Sequence, residues 1–389
     1  MIPEMPNDKV SGVPSIAIVC DWLESYAGAE RVIEEIINCF PQAEILAVVD
    51  FVAEKDRGFL KGKSVKTTFI QKLPFARKFY RHYLPLMPIA IEQLDLNKYD
   101  IVISSSHAVA KGIITGPDQL HVSYIHSPLR YAWDMQNEYL EQSGTGSGIK
   151  SWFIRYLLHR IRIWDVTSAQ RVDYIIANSN FIAKRIKKFY NRQADVIYPP
   201  VDISTFKQGT NQRKNYFITV SRLVGYKKID LIIDAFRNLP EDDIIIIGDG
   251  PEKEKLKENL PENVKLLGFQ PQEKIISLLQ EAKAFIFAAR EDFGISPVEA
   301  QACGTPVIAF NAGGTLETII DIRAENPTGI LFGAQDKESI INAIQVFKKN
   351  SERIKPENCR TQAEKFSSAV FRKNMKNHIE KSWKTHIEN

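Results

Sequence analysis

The sequence has few of the features that mark a secreted, membrane-spanning or metal-binding protein. Its four cysteines are scattered, with no CxxC pair and no histidine at ligand spacing, so neither a disulfide framework nor a zinc site is expected. No apolar run approaches the roughly 20 residues of a membrane span. Residues 1–14 lack the basic and then apolar pattern of a secretory signal. We therefore expect a cytoplasmic protein whose thiols are reduced and mostly buried.

The sequence also lacks a large excess of charge and a dinucleotide fingerprint. Lysine and arginine number 51 against 47 aspartates and glutamates, and the net charge of +4 is too small to indicate a nucleic-acid partner. Neither half carries G-x-G-x-x-G after its first predicted strand, which weakens a dehydrogenase interpretation.

What the sequence does contain is a regular alternation of short apolar runs and longer amphipathic segments. The runs are apolar on both faces, as in parallel sheets that helices cover on both sides. A chain of 389 residues is long enough for two domains, and the runs predict two doubly wound sheets of six strands each. The predicted strands are 15–20, 44–49, 100–106, 121–126, 173–179 and 195–200, then 216–221, 243–249, 264–269, 283–289, 306–310 and 328–332.

The sequence also predicts the connection between the two halves and a helix at the end of the chain. The extended PPVD at 199–202 and the polar KQGTNQRKN at 207–215 lie between the two sets of strands and predict the hinge. Near the end of the chain, a basic and amphipathic helix is predicted from about Ser367 to His386.

The segment EDFGISPVE (291–299) follows a strand-type run and is the most informative part of the chain. Ser296 suits an N-cap and Pro297 the first helical position, so a helix is predicted to begin there. The unpaired N–H groups of a helix start can seat a phosphate. Glu291 and Glu299 flank this seat and can accept hydrogen bonds from hydroxyl groups, an arrangement that describes a nucleotide-sugar site. Alternatively, Ser296 and Glu299 form only a capping box.

Two cations follow the first predicted strand of the second half. Arg222 and Lys227, in SRLVGYK, lie on a loop where they could neutralise a diphosphate leaving group without a metal. The alternative is a solvated basic loop.

These residues resemble the signature of retaining glycosyltransferase family 4, in which two glutamates flank an FG(I/L)-x-P turn. The resemblance covers nearly the whole chain and is strongest over 215–332. It implies an α/β protein with the GT-B fold, two Rossmann-like doubly wound parallel-sheet domains facing a cleft. The implied domains are an N-terminal acceptor domain over 1–205, a C-terminal nucleotide-sugar donor domain over 206–366, and a C-terminal helix over 367–389 that packs back on the first domain.

The resemblance also implies roles for residues of the second half. SRLVGYK is similar to the family's SRL-x-x-x-K pattern, which puts Arg222 and Lys227 on the phosphates. Glu291 is implied to orient the sugar hydroxyls, and Glu299 the ribose. Phe269 ends a strand at the place where relatives hold the nucleobase through backbone groups. The turn of the signature adds the substrate-binding residues Phe293, Gly294 and Ile295.

In the first half, the resemblance points to a glycine loop and a histidine. The loop at Gly28 is implied to approach the donor phosphates and the reacting sugar, although relatives carry two glycines where this chain has Gly28-Ala29. Glu30 follows, and is expected to complement the helix dipole. HSPLRY is similar to the family's H-x-P-x-R-Y segment, so His126 is predicted to face the reacting centre. A structural strand-end histidine is the alternative. The predicted catalytic residues are therefore Glu291, His126, Arg222 and Lys227.

The function implied is a retaining transfer of a hexose from a nucleotide diphosphate sugar to a saccharide or lipid-linked saccharide in bacterial envelope or exopolysaccharide synthesis. No metal and no other cofactor is expected. UDP-glucose is the first choice of donor and GDP-mannose the second. Two alternatives stay open: a nucleotide-sugar 2-epimerase and a non-catalytic scaffold that binds nucleotide sugars.

Two segments interleave cations with aromatic residues. The segments are 68–88 and 150–164, and both predict amphipathic helices. Such helices fit an anionic membrane surface, which would make the protein peripheral on the inner face of the plasma membrane. Alternatively, the aromatics belong to the core and the cations to a solvated face.

Overall fold

The computed structural model describes residues 13–142, 147–209 and 213–388. Most of residues 1–14, which lack the pattern of a secretory signal, lie outside these described residues. The centre of the predicted hinge at 207–215 lies outside them as well.

The chain divides into two compact units. The first unit runs to Asn178 and includes Ile182–Ile197 and the residues from Arg372 onwards. The second unit consists of Ser179–Phe181 and Tyr198–Phe371. The main change from one unit to the other thus falls between Ile197 and Tyr198, ahead of the boundary expected at residue 205.

Each unit contains one sheet in which every strand pairing is parallel. The first sheet has seven strands in the order β3-β2-β1-β4-β5-β6-β7, and the second has six in the order β10-β9-β8-β11-β12-β13. The strands are β1 (Ile16–Leu23), β2 (Glu44–Asp50), β3 (Val65–Thr67), β4 (Ile101–Ser106), β5 (Leu120–Ile125), β6 (Tyr174–Ala177), β7 (Asp195–Val196), β8 (Tyr216–Val220), β9 (Asp243–Ile247), β10 (Val264–Gly268), β11 (Phe285–Phe287), β12 (Val307–Phe310) and β13 (Gly329–Phe332).

The predicted count of six strands is confirmed for the second sheet and wrong for the first. The strand that the sequence pattern misses is β3, a three-residue edge strand of sequence Val-Lys-Thr. It contains no apolar run, because a short edge strand is not covered on both faces.

Helices connect the strands, as expected for a doubly wound fold. They are α1 (Gly28–Cys39), α2 (Ala76–Phe79), α3 (Met87–Glu92), α4 (Gln136–Gln142), α5 (Gly148–Gln170), α6 (Asn180–Tyr190), α7 (Ile229–Arg237), α8 (Lys253–Lys257), α9 (Gln272–Glu281), α10 (Ile295–Ala302), α11 (Thr315–Thr318), α12 (Lys337–Asn350), α13 (Pro356–Glu364) and α14 (Ser368–Glu388), with short 3-10 turns at Glu54–Leu60, Phe69–Lys72, Tyr80–Leu86, Ala110–Gly112, Gly225–Lys227 and Ser351–Arg353.

The strand order identifies where each unit could hold a ligand. In the first sheet the direction of winding reverses between the neighbours β1 and β4, and in the second between β8 and β11. In open parallel sheets, ligands bind beyond the carboxyl ends of the strands at such a switch point. The loops after these four strands are therefore the first places to look for a site.

The four cysteines are free and buried, as predicted, at Cys20, Cys39, Cys303 and Cys359. Burial raises the pKa of the Cys39 thiol to about 11 and those of Cys303 and Cys359 to about 12. These thiols stay protonated at neutral pH and serve as core residues.

The last helix makes contacts within the first unit. Arg372 Nη1 donates a hydrogen bond of 2.6 Å to Glu35 Oε2 on α1, and the His378 ring lies 6.1 Å from that of Tyr174 on β6. Among the described residues, no helix combines the length and the apolar character that crossing a bilayer requires.

Candidate functional site

The loop after β8 carries Arg222 and is held by the loop after β9. Ser221 N–H donates to the Ile247 carbonyl, and Leu223 N–H to the Asp249 carbonyl, both at 2.9 Å. These two bonds fix the backbone on either side of Arg222, whose side chain is exposed. Within the described part of the chain, the Arg222 guanidinium has no carboxylate partner. The loop thus presents an uncompensated cation at the switch point of the second sheet.

Lys227 and Glu291 form an ion pair between the two loops at this switch point. Lys227 ends the 3-10 turn after β8, and its Nζ donates to Oε1 of Glu291, which follows β11. Both side chains are largely buried, with 13% and 17% of their surface exposed. The ammonium group also lies 5.8 Å from the centre of the Phe287 ring. Low exposure strengthens such a pair compared with one on the open surface.

Two glycines, Gly313 and Gly314, pack closely against the backbone of the Glu291 loop. Gly314 N–H donates to the Glu291 carbonyl at 2.9 Å. Gly313 has a φ of +78°, and a Cβ at this position would lie 2.2 Å from the Glu291 oxygen. A Cβ on Gly314 would lie 2.3 Å from Phe293 Cα. These glycines therefore allow their backbone to approach that of Glu291 and Phe293 closely.

Helix α10 begins earlier than the sequence predicts. Gly294 is its N-cap, with a φ of +86°, and Ile295 is its first residue, so Ser296 and Pro297 lie inside the first turn. The predicted N-cap at Ser296 is wrong, because the left-handed Gly294 turns the chain into the helix sooner. The N-cap Gly294 has no side chain with which to cap this helix, and the N–H groups of the first turn have no partner within the helix.

The next helix also follows a glycine. Gly314 is the N-cap of α11, Thr315 is its first residue, and the Thr315 hydroxyl donates to the Phe310 carbonyl at 2.6 Å.

The remaining predicted residues of the second unit differ in exposure. The Phe293 ring is buried between Tyr198 and Phe366, with ring centres 5.8 and 5.3 Å away, so only its backbone could face a ligand. Phe269, which follows β10, is 78% exposed. Ile295 and Glu299, on the first turns of α10, are half-buried.

In the first unit, a buried aspartate closes the switch point between β1 and β4. Asp21, in β1, is 1% exposed. Its two carboxylate oxygens accept the four successive backbone N–H groups of residues 107–110, at distances of 2.5 to 2.9 Å. Nδ1 of His107 lies 3.1 Å from Oδ2 of the same carboxylate. One side chain thus shapes the whole loop after β4 and orients the His107 ring.

His126 follows β5 and lies near His107. Its Nε2 is 2.8 Å from the Ser105 hydroxyl, and its ring centre is 6.2 Å from that of His107. Burial and the neighbouring His107 lower the pKa of His126 to about 3. His126 is therefore neutral at physiological pH and can exchange hydrogen bonds without carrying charge.

The glycine loop of the first unit leads into α1. Gly28 is the first residue of this helix, and Oε2 of Glu30 accepts the Ala27 N–H at 3.0 Å. Glu30 is 7% exposed, and burial raises its pKa to about 7. Glu30 thus closes the helix start by a direct hydrogen bond, which is more than the dipole complementation expected from its position.

Two family models match the chain. Residues 26–205 match the model described as Glycosyltransferase Family 4, and residues 201–366 match the model described as Glycosyl transferases group 1. Together the two models cover residues 26–366, and both describe glycosyltransferases.

Curated relatives match parts of the chain. An uncharacterized glycosyltransferase of Methanocaldococcus jannaschii is 30% identical over 155 residues, which make up 38% of this chain and 43% of the relative. A GDP-mannose-dependent monoacylated alpha-(1-6)-phosphatidylinositol monomannoside mannosyltransferase of Corynebacterium glutamicum is 30% identical over 178 residues, 38% of this chain and 47% of the relative. The chain spans less than half the length of these two relatives.

Solved structures match the chain over almost its full length. Anabaena HepE in complex with UDP has a TM-score of 0.69 at 19% identity, covering 94% of this chain and 100% of HepE. The complex of HepE with UDP-glucose has a TM-score of 0.67 at 20% identity, covering 94% and 99%. At this identity the likeness concerns the fold, and it confirms the predicted GT-B fold with two parallel-sheet α/β domains.

The predicted site residues of the chain thus fall into two groups. Arg222, Lys227 and Glu291 follow the two strands at the switch point of the second unit, while Gly28 and His126 lie in loops of the first unit. Sequence reasoning missed Asp21 and His107. The sequence feature that could have indicated Asp21 is its position as a charged residue within an otherwise apolar strand.

Proposed function

We propose that this chain transfers a hexose, with retention and without a metal, from a nucleotide diphosphate sugar to a hydroxyl acceptor. The observation that carries the proposal is the group formed by Arg222, Lys227 and Glu291 at the switch point between β8 and β11. Cations and a hydroxyl acceptor at that point suit the diphosphate and the sugar of one ligand.

Three features would bind the diphosphate and stabilise its departure. The Arg222 guanidinium can bind two phosphate oxygens at once. Lys227 has three N–H donors, so it can bond a phosphate oxygen while it keeps its bond to Glu291. The start of α10 would add the N–H groups of its first turn, which have no partner within the helix, and the positive end of the helix dipole. Together they would neutralise the charge that develops on the leaving group.

Glu291 and Glu299 would bind hydroxyl groups of the donor. We assign Glu291 to the sugar and Glu299, one turn into α10, to the ribose. Because Lys227 already holds Glu291, the carboxylate is fixed before the ligand arrives. Phe269, with the backbone of Phe293, Gly294 and Ile295, would complete the donor site.

In the first unit, His126 and the Gly28 loop would face the reacting sugar. A neutral imidazole can hydrogen-bond a sugar hydroxyl without repelling an oxocarbenium-like centre. On this proposal, residues 1–205 provide the acceptor domain, residues 206–366 the donor domain, and residues 367–389 a helix that packs on the first domain.

We propose UDP-glucose as the first donor and GDP-mannose as the second. The UDP and UDP-glucose complexes of HepE support the first, and the GDP-mannose-dependent relative supports the second. The acceptor would be a saccharide or lipid-linked saccharide of a bacterial envelope or exopolysaccharide.

The first test is a thermal-shift panel with UDP, GDP, ADP and NAD. A ligand at about 100 times its dissociation constant adds about 2.7 kcal/mol of stability, so a selective shift is measurable. A shift with UDP alone or GDP alone identifies the donor class. Stabilisation by NAD alone, or by none of the four, contradicts the proposal.

A transfer assay then separates the enzymatic alternatives. Donor consumption that requires an added acceptor, gives a product with retained configuration and continues in EDTA supports the proposal. Conversion of the donor to its 2-epimer without an acceptor would identify an epimerase. Binding without any turnover would leave the scaffold interpretation.

A further inference from the structure

Helix α5 is apolar on two opposite sides. One side carries Leu158 and Ile161, which are buried in the core of the first unit. The other side points away from the protein and is among the most exposed apolar surfaces of the described residues. Its residues recur at helical spacing and form what we call the α5 stripe: Ile149, Trp152, Phe153, Tyr156 and Ile163.

The exposure of the α5 stripe needs a physical explanation. Ile149 and Trp152 are 89% and 69% exposed, and the rings of Trp152 and Tyr156 stack on each other at 6.2 Å. A helix face of large apolar side chains is ordinarily buried against a core or a membrane. A contiguous exposed patch of large apolar side chains marks an interaction surface.

The charge around the stripe indicates what covers it. No aspartate or glutamate occurs between residues 142 and 164, which include four lysines and arginines. Arg155 and Arg162 are hydrogen-bonded to neighbouring groups of the protein. Lys150 and Arg160 are exposed and have no carboxylate partner within the described ranges. Exposed cations beside exposed aromatics complement an anionic surface with an apolar interior.

A second segment of the first unit has the same character. Residues 57–91 contain eight lysines and arginines and no acidic residue. Four of these cations are ion-paired with carboxylates elsewhere in the unit, whereas Arg77 and Lys78 are exposed and have no carboxylate partner among the described residues. At their centre Phe75 is 80% exposed and has a φ of +54°, a strained backbone for an aromatic residue. We call Phe75 and its neighbours Arg77 and Lys78 the Phe75 turn.

Both segments are attached to one core. Leu73, next to the Phe75 turn, and Ile154, on α5, pack against the same apolar cluster of the first unit. The alternative that the aromatics belong to the core holds for Tyr80, which is buried in this cluster, and for Tyr83 and Trp164, which pack against it. It does not hold for the exposed Phe75, Trp152, Phe153 and Tyr156.

We propose that the α5 stripe and the Phe75 turn dock on an anionic lipid bilayer. The aromatic and aliphatic side chains would enter the boundary between headgroups and acyl chains, while Lys150, Arg160 and the cations of the turn contact the lipid phosphates. This surface goes beyond the proposed transfer and does not depend on it, because lipid binding is measured without a donor or an acceptor.

The experiment is co-sedimentation of the full chain with vesicles of phosphatidylcholine alone and with an equal mixture of phosphatidylcholine and phosphatidylglycerol. We expect binding to the anionic vesicles that weakens as salt is raised. Trp152→Ser with Phe153→Ser should reduce the partition coefficient by about tenfold or more, and Lys150→Glu with Arg160→Glu by a similar factor. Phe75→Ser tests the second segment and should also weaken binding.

A matched control separates the surface from net charge. Lys265→Glu with Lys349→Glu makes the same charge change at exposed, unpaired lysines of the second unit, as far as the described residues show, and should retain nearly all of the binding. Thermal unfolding checks that every variant is folded, which is expected because the altered side chains are exposed.

Four outcomes would overturn the proposal. The first is that the wild type does not bind anionic vesicles, and the second is that the Trp152/Phe153 variant binds them as well as the wild type. The third is that the Lys265/Lys349 control loses as much binding as the Lys150/Arg160 variant. The fourth is that the wild type self-associates, that the Trp152/Phe153 variant does not, and that vesicles have no effect. Quenching of tryptophan fluorescence by brominated lipids, lost in Trp152→Phe, would locate Trp152 within the bilayer.

Discussion

Asp21 and His107 meet across the switch point of the first sheet. Oδ2 of Asp21 accepts the backbone N–H of His107 and lies 3.1 Å from Nδ1 of the His107 ring. The same carboxylate accepts the N–H groups of the next three residues. The loop beside His126 is therefore shaped by a single side chain on another strand.

Asp21→Ala should destabilise the protein strongly. The change leaves several buried N–H groups without an acceptor, and each such group costs about 1–3 kcal/mol. We expect the free energy of unfolding to fall by about 3 kcal/mol or more in urea denaturation. Asp118→Ala, at an exposed aspartate, is the control and should be neutral. Equal stability of the two variants would mean that water replaces the carboxylate.

Substitution of the three charged residues in the second unit should impair transfer while the protein stays folded. Arg222→Ala, Lys227→Ala and Glu291→Ala should each lower kcat/KM by about tenfold or more, because each removes an interaction with the leaving group or sugar. The initial rate with the donor identified by thermal shift is the measurement. Lys265→Ala, an exposed cation elsewhere in the unit, provides the reference. Rates like the wild type in all three variants would refute the site assignment.

A methyl group at Gly313 should distort the Glu291 loop. Gly313→Ala combines a positive φ with a Cβ 2.2 Å from the Glu291 oxygen. We expect a loss of about 2–4 kcal/mol in stability and weaker nucleotide binding, measured by urea denaturation and titration calorimetry. Gly333→Ala has open space around its Cβ and should change neither quantity. A Gly313 variant as stable as the Gly333 variant would show that the loop moves freely.

Glu30 should make the protein less stable as pH rises. Its folded-state pKa of about 7 lies above the ordinary value of 4.5, because burial disfavours the charged carboxylate. The folded state thus binds its proton more tightly than the unfolded state. The resulting stabilisation is complete below pH 4.5 and is lost as pH rises through 7, by about 3 kcal/mol in total.

The variant Glu30→Gln isolates this effect. Glutamine keeps an oxygen for the Ala27 N–H but cannot ionise. The stability of Glu30→Gln relative to the wild type should therefore increase between pH 4.5 and 8 in urea denaturation. A difference that does not vary with pH would show that Glu30 ionises freely in the folded state.

The strands were predictable because they are short, apolar on both faces and separated by helices, a pattern that local sequence carries by itself. The edge strand Val65–Thr67 was not, since it owes its pairing to β2 and not to its own residues. The start of α10 was misplaced because both Gly294 and Ser296 can begin a helix, and only the fold of the preceding turn decides between them.

The candidate site was predictable to the extent that it uses residues of a linear signature. Arg222, Lys227 and Glu291 belong to that signature, but the contact between Lys227 and Glu291 joins residues 64 positions apart. The role of Asp21 depends on the loop after the neighbouring strand β4. Its bonding partner His107 in that loop lies 86 positions further along the chain. Spacing along the chain carries no information about either contact.

The burial of all four cysteines gives the protein an experimental advantage. Since the native thiols are buried and stay protonated at neutral pH, we expect a thiol-reactive dye not to react with them in the folded state. A cysteine introduced on the surface of each unit could then be labelled without first removing the native ones. Energy transfer between two such dyes would test whether the distance between the labelled positions changes when a donor binds.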